Sequence, residues 1–277
     1  PHKDDKILTS WNGLMIGALA LSGRVFKNEK YINQAEKSAK FIFENLIDSD
    51  GRLLARYREG ESKYKAYLED YAYFIYGLIE LYESTFKIEY LEKAIKLNSD
   101  MLELFWDNDE GGLFLYGKDS EQLVLQHKEI YDGAQPSGNS VASLNLIRLS
   151  KILESSELED KSKQVIKTFG GNVKSTVIGN SYLLMSLLFN LGPTQEIVIL
   201  GDIEDSNTKK MLDKINENFL PFTTVIFKDN YDKVTNVIPR LKEYTRIEDK
   251  TTAYICENFS CNEPTTDLEI YSNLLLN

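Results

Sequence analysis

The segment Asp4-Asp5-Lys6-Ile7-Leu8-Thr9-Ser10-Trp11-Asn12-Gly13 sets two carboxylates, a Thr/Ser pair and an aromatic ring ahead of the apolar run Leu14 to Leu21. A Thr or Ser here predicts a helix start, because its hydroxyl can accept an otherwise unpaired backbone N–H. A cap alone leaves Trp11, Asn12 and the Asp4–Asp5 pair without a role. Polar chemistry therefore stands at the mouth of a buried helix. Residues 9–26 read as that helix, apolar almost all round, with small Gly17, Ala18 and Ala20 permitting close packing; such a helix sits inside other helices.

Working outward, residues 30–47 predict an amphipathic partner, with Tyr31, Ala35, Ala39, Ile42 and Phe43 on one face. An acidic Gly turn, Asp48-Ser49-Asp50-Gly51, and a short strand from Leu53 to Tyr57 follow. The pattern then repeats. A second inner helix spans 66–84 with Glu69-Asp70-Tyr71 in its first turn, and an outer helix spans 88–105. The acidic Gly turn 107–112 and the apolar triplet Leu113-Phe114-Leu115 close that unit. The third opening runs from Tyr131 to Ser140 and starts an inner helix to about 154, paired with an outer one near 157–170. A further inner helix is expected from about 175 to 190. The openings recur at Asn12, Asp70 and Asn139, a spacing longer than the common solenoid repeats and suited to helical hairpins with variable loops.

Alternating all-apolar and one-sided helices predict two concentric rings: a mainly α fold, a partial (α/α)6 toroid of helical hairpins over residues 1–191. The predicted helices are fewer than a closed six-hairpin toroid requires, and the chain opens at Pro1 beside a helix start, so it reads as the later part of a longer polypeptide. Composition shifts at Gly192-Pro193. Strands at 196–200, 223–227 and 251–256 alternate with helices at 206–218 and 265–276 and an amphipathic stretch at 232–244, which predicts a small α/β subdomain with a parallel sheet over residues 192–277.

The formal net charge of −11 argues against nucleic acid or an anionic membrane surface as partner. No apolar run reaches spanning length. Cys256 and Cys261 are the only cysteines. They lack both C-x-x-C spacing and a second pair, and read as packed thiols in a reduced, cytoplasmic protein. Asp107 to Glu110 lacks the alternating ligand series of a calcium loop, and Gly201-Asp202 is not a dinucleotide fingerprint, so neither metal nor cofactor is expected.

In a toroid the inner-helix N-termini share one rim, where free N–H groups and helix dipoles favour carboxylates. The three openings would then supply one cleft. Asp5, Asp70 and Asp132 are the acid/base candidates, and His2, Asp4, Trp11, Asn12, Glu69, Tyr71, Ser137 and Asn139 are the substrate-binding candidates. Acids beside aromatics suit a sugar, and a carboxyl pair can act as general acid and base on a glycoside. His127, the other histidine, sits apart from the openings.

The segments Pro1 to Met15, Leu68 to Ala72 and Asp132 to Ser140, with Ala253 to Cys261 followed by Pro264, resemble the spermatogenesis-associated, thioredoxin-domain-containing family. That resemblance spans essentially the whole chain. It implies an α/α toroid similar to N-acylglucosamine 2-epimerases and glycoside hydrolases. An N-terminal thioredoxin-like domain and the remaining toroid helices are the implied partners, alongside a carbohydrate ligand. Two function classes follow: carbohydrate binding or processing at the rim, or a non-catalytic scaffold presenting clients to the thioredoxin-like domain.

Overall fold

The computed structural model describes residues 4–121, 125–229, 233–257 and 260–275. It divides into two compact units, one of Pro1–Ile147 with Ser156–Leu188 and one of Arg148–Ser155 with Phe189–Asn277. His2 lies outside the described residues.

The first unit is built from helical hairpins. Helices α1 (Thr9–Val25) and α2 (Glu29–Asn45) form one, α3 (Leu68–Thr85) and α4 (Ile88–Phe105) the next, and α5 (Gly138–Leu153), α6 (Ser156–Ser175) and α7 (Ser181–Leu191) continue the series, the last turns of α5 and α7 belonging to the second unit. A three-stranded antiparallel sheet, β1 (Ile7–Leu8), β2 (Leu54–Arg58) and β3 (Glu61–Lys65), flanks the entrance to α1. Only β2 was legible from periodicity: β1 has two residues, and β3 (Glu-Ser-Lys-Tyr-Lys) alternates no buried face. The Leu113–Leu115 triplet forms a single bridge, Trp106 to Leu113, instead of a strand.

The inner character of α3 is complete: fourteen of its residues are buried, including Tyr71, Tyr73, Phe74 and Tyr82. It packs against α1 at a close crossing of glycines. A Cβ on Gly13 would lie 2.6 Å from the backbone of Tyr73 and Phe74, and one on Gly77 would lie 2.6 Å from the Gly13 carbonyl. Lacking side chains, the two helices come within backbone contact, which strengthens dispersion along the seam. Beyond that seam, α1 presents Trp11, Met15, Ala18, Leu21 and Val25 to solvent. Their spacing puts all five on one helical stripe, opposite the buried stripe Gly13, Ile16, Gly17, Ala20 and Gly23.

The second unit carries a four-stranded sheet in the order β5-β4-β6-β7, from β4 (Gln195–Leu200), β5 (Thr223–Lys228), β6 (Thr252–Glu257) and β7 (Ser260–Cys261). Strands β4 and β5 are parallel, joined through α8 (Ser206–Asn216). Against the expected parallel sheet, β6 runs antiparallel to β4. The reason lies in its approach: α9 (Val234–Val237) and a 3-10 turn (Pro239–Glu243) replace the long crossover helix that a parallel return requires. Helix α10 (Leu268–Leu275) packs back on α8, and its Tyr271 hydroxyl donates to the Met211 carbonyl at 3.2 Å. Arg240 pairs with Glu196 of β4 at 2.6 Å and donates to the Ile152 carbonyl at 3.2 Å, tying three parts of this unit together.

The reading of Cys256 and Cys261 as packed thiols is corrected: they form a disulfide. The β6–β7 hairpin registers Cys256 opposite Cys261, with Cα atoms 3.8 Å apart. A strand reversal inside a C-x4-C spacing is what brings them together. No helix among the described residues is long and apolar enough to cross a membrane.

Candidate active site

The first unit holds an open cleft of about 520 Å³ at the N-terminal ends of α1 and α3. Trp11 of α1, Tyr67 and Glu69 at the start of α3, and Glu129, Tyr131 and Gln135 from the segment before α5 line it; Asp70 lies at its floor. The sequence openings do therefore converge, through a partly different set of side chains.

The acids expected to do chemistry have structural partners. Helix α1 begins without a side-chain cap of its own. The hydroxyl of Thr9 donates instead to the Leu54 carbonyl at 2.6 Å, fastening α1 to β2. The missing cap comes from the neighbouring helix: Asp70 Oδ1 accepts the Ser10 N–H at 2.9 Å, and Oδ2 accepts the Tyr67 N–H at 2.9 Å. One buried carboxylate thus closes two helix N-termini. Burial outweighs both hydrogen bonds and, with Glu69 adding repulsion, pushes the Asp70 carboxyl up to about 7. Asp132 works similarly, accepting from Ser137 N at 2.9 Å and from Tyr182 N at 2.7 Å, so that the approach to α5 is bound to the start of α7.

Other expected contacts turn away from the cleft. Tyr71 is fully buried and its hydroxyl accepts from Arg52 at 2.9 Å, because its position in the first turn of α3 faces the core. Asn12 donates to the Leu8 carbonyl at 2.8 Å. Ser137 hydrogen-bonds Ser140 at 2.9 Å. Asn139 is buried, accepts the Leu113 N–H at 2.8 Å and donates to the Glu129 carbonyl at 2.9 Å. Asn139 therefore fixes the backbone that carries a cleft carboxylate. Asp5 is paired with Arg58 at 2.7 Å and Asp4 with Lys6 at 3.2 Å on an exposed edge.

Trp11 and Glu69 do face the cleft. Trp11 is 63% exposed, and its indole N–H donates to Gln135 Oε1 at 3.3 Å. Gln135 also donates to Glu69 at 3.2 Å, so the amide bridges an aromatic wall and an acid. Burial, then repulsion from Glu129, holds the Glu69 carboxyl above the usual glutamate range. Glu129, Gln135, Tyr67 and Tyr131 escaped the sequence reading. Tyr131 and Gln135 lie in the third opening, Glu129 just before it and Tyr67 just before the second, but nothing in a linear pattern says which of these side chains face the cleft.

No protein-family model matches the chain. Human spermatogenesis-associated protein 20 is 32% identical over 279 residues, a match covering 96% of this chain and 36% of that protein. The chain is homologous to spermatogenesis-associated protein 20. It spans about a third of the length of the curated relatives it matches. Among solved structures, a cellobiose 2-epimerase from Bacillus thermoamylovorans superposes with a TM-score of 0.53 at 15% identity, covering 94% of this chain and 67% of that one. A family 76 glycoside hydrolase (mannosidase) from Bacteroides thetaiotaomicron gives 0.51 at 14% identity, covering 99% and 72%. At such identities the likeness establishes the fold, which is that of α/α-toroid glycosidases and epimerases.

Proposed function

We propose that the cleft binds and processes carbohydrate. The observation that carries this reading is the convergence of three aromatic rings, Trp11, Tyr67 and Tyr131, with the carboxylates Glu69 and Glu129 around one open cavity. Ring faces suit the apolar face of a pyranose, and carboxylates and the Gln135 amide suit its hydroxyls. A glutamate raised toward neutrality beside a second, exposed glutamate fits a general acid paired with a base. Glu69 takes the acid role and Glu129 the base role. Asp70 and Asp132, offered above as acid/base candidates, act in this reading by holding the rim helices, and Asp5 acts outside the cleft. The fold likeness to a cellobiose 2-epimerase and a mannosidase supports the carbohydrate reading.

The apolar stripe of α1 supports a second part of the proposal: further toroid helices, together with a thioredoxin-like domain, accompany this region in the functioning protein. The scaffold reading keeps one observation in its favour, since Asp70 and Asp132 are spent on backbone N–H groups. A thermal-shift screen of the protein against mono- and oligosaccharides, run in parallel on Glu69→Gln and Trp11→Ala, separates the two. Carbohydrate processing requires a sugar that raises the wild-type midpoint and fails to raise both variants. A screen with no responding sugar assigns the protein to the scaffold class.

A further inference from the structure

The charged side chains among the described residues lining the cleft are all carboxylates: Glu69, Asp70 and Glu129. Among the described residues, the basic side chains flanking the cleft-forming segments are committed elsewhere. Arg52 is held by Asp119 at 3.1 Å and by the Tyr71 hydroxyl. Arg58 pairs with Asp5 at 2.7 Å, and the Arg56 guanidinium lies over the Tyr64 ring at 4.9 Å. Lys128, adjacent to Glu129 in sequence, is bound by Asp107 at 2.6 Å and by the Gly111 carbonyl at 3.0 Å. Among the described residues, each of these four cations has a partner of its own, and Lys6 pairs with Asp4 at 3.2 Å.

An anionic ligand group is normally received by an arginine fork or a lysine, and in a partly buried site its repulsion from carboxylates is poorly screened. Glu69 and Glu129 already repel one another across this space. Hydroxyl groups, in contrast, can donate to the Glu69 and Glu129 oxygens. We propose that the cleft is selective for uncharged saccharides and excludes uronate and phosphorylated sugars, an inference that rests on the carbohydrate reading above.

Calorimetric titration tests it with matched probes: neutral gluco- and manno-oligosaccharides, the corresponding oligouronides, and hexose 6-phosphates, all in about 0.15 M salt. The neutral probe that binds is expected to do so at least about tenfold more tightly than its uronide or phosphate counterpart, the equivalent of ~1.4 kcal/mol. Glu129→Gln should narrow that gap at least about threefold by admitting the uronide, because one repelling charge is gone. Uronides that bind as tightly as neutral sugars, or a gap unmoved by Glu129→Gln, would overturn the selectivity and leave the carbohydrate reading standing. Failure of every saccharide in the panel removes the carbohydrate reading itself, and the selectivity with it.

Discussion

Replacing Asp70 with Asn tests the account of the rim most directly. In the wild type both carboxylate oxygens accept backbone N–H groups, from Ser10 and from Tyr67. Asparagine offers one carbonyl for two donors, so one N–H faces its amide nitrogen; a buried unsatisfied donor costs roughly 1–3 kcal/mol. The pH dependence is more diagnostic than the cost. The Asp70 carboxyl titrates at about 7 in the folded chain, against 3.8 for a free aspartate. Between these values the folded protein holds a proton that the unfolded chain has released, so wild-type stability falls as pH rises through this window. From pH 5 to pH 8 the loss amounts to about 2.5 kcal/mol, which for a chain of this size is a midpoint shift on the order of 5–10 °C. Asparagine does not titrate. Thermal unfolding followed by circular dichroism, at pH 5, 6, 7 and 8 for both proteins, isolates Asp70 as the difference between the two curves. The advantage of wild type over Asp70→Asn should shrink steadily toward pH 8. A difference that stays constant or grows would mean that the two N–H bonds outweigh burial, and would refute the reasoning.

Glu69→Gln should lower turnover of any saccharide the cleft accepts by about 10²–10⁴-fold and remove the alkaline limb of the residual rate profile, since the protonated form of a raised carboxyl is the acting one; steady-state kinetics across pH reads both. Arg52→Ala should cost about 1–3 kcal/mol, because it leaves the Ala66 carbonyl without the arginine, the Tyr71 hydroxyl with the Leu53 N–H alone and Asp119 with Lys65 alone, measurable by denaturant unfolding. Gly13→Ala should lower the thermal midpoint by the equivalent of roughly 1–3 kcal/mol, since the added Cβ meets the backbone of α3 and no side chain can rotate away. By contrast, Trp11→Ala should leave the midpoint within about 0.5 kcal/mol and weaken saccharide binding.

The helical hairpins were legible because burial writes itself into periodicity: the inner helix at 68–85 and the outer helix at 88–105 match their predicted spans within two residues. The sheet around β2 was not, because β1 and β3 are defined by pairing across the chain and carry no alternation. At the site, spacing located the openings but not the destinations of their side chains. Asp70 and Glu69 are neighbours in sequence, yet a helical step of about 100° sends one between two helix ends and the other into the cleft. A one-dimensional pattern contains both residues and no indication of which is which. Cys256 and Cys261 illustrate the same limit, since the hairpin that joins them depends on register.

The exposed stripe on α1 also carries its own chemical reporter. Met15 stands at its middle with 56% of its surface open. A thioether so placed is readily oxidised to the sulfoxide, which is polar and reversible by reductase. If helices cover the stripe in the functioning protein, mild peroxide should spare Met15 there and modify it where the stripe is bare. Oxidation in the cell would then act preferentially on newly made or partly assembled molecules, marking those whose apolar stripe had not yet found its cover.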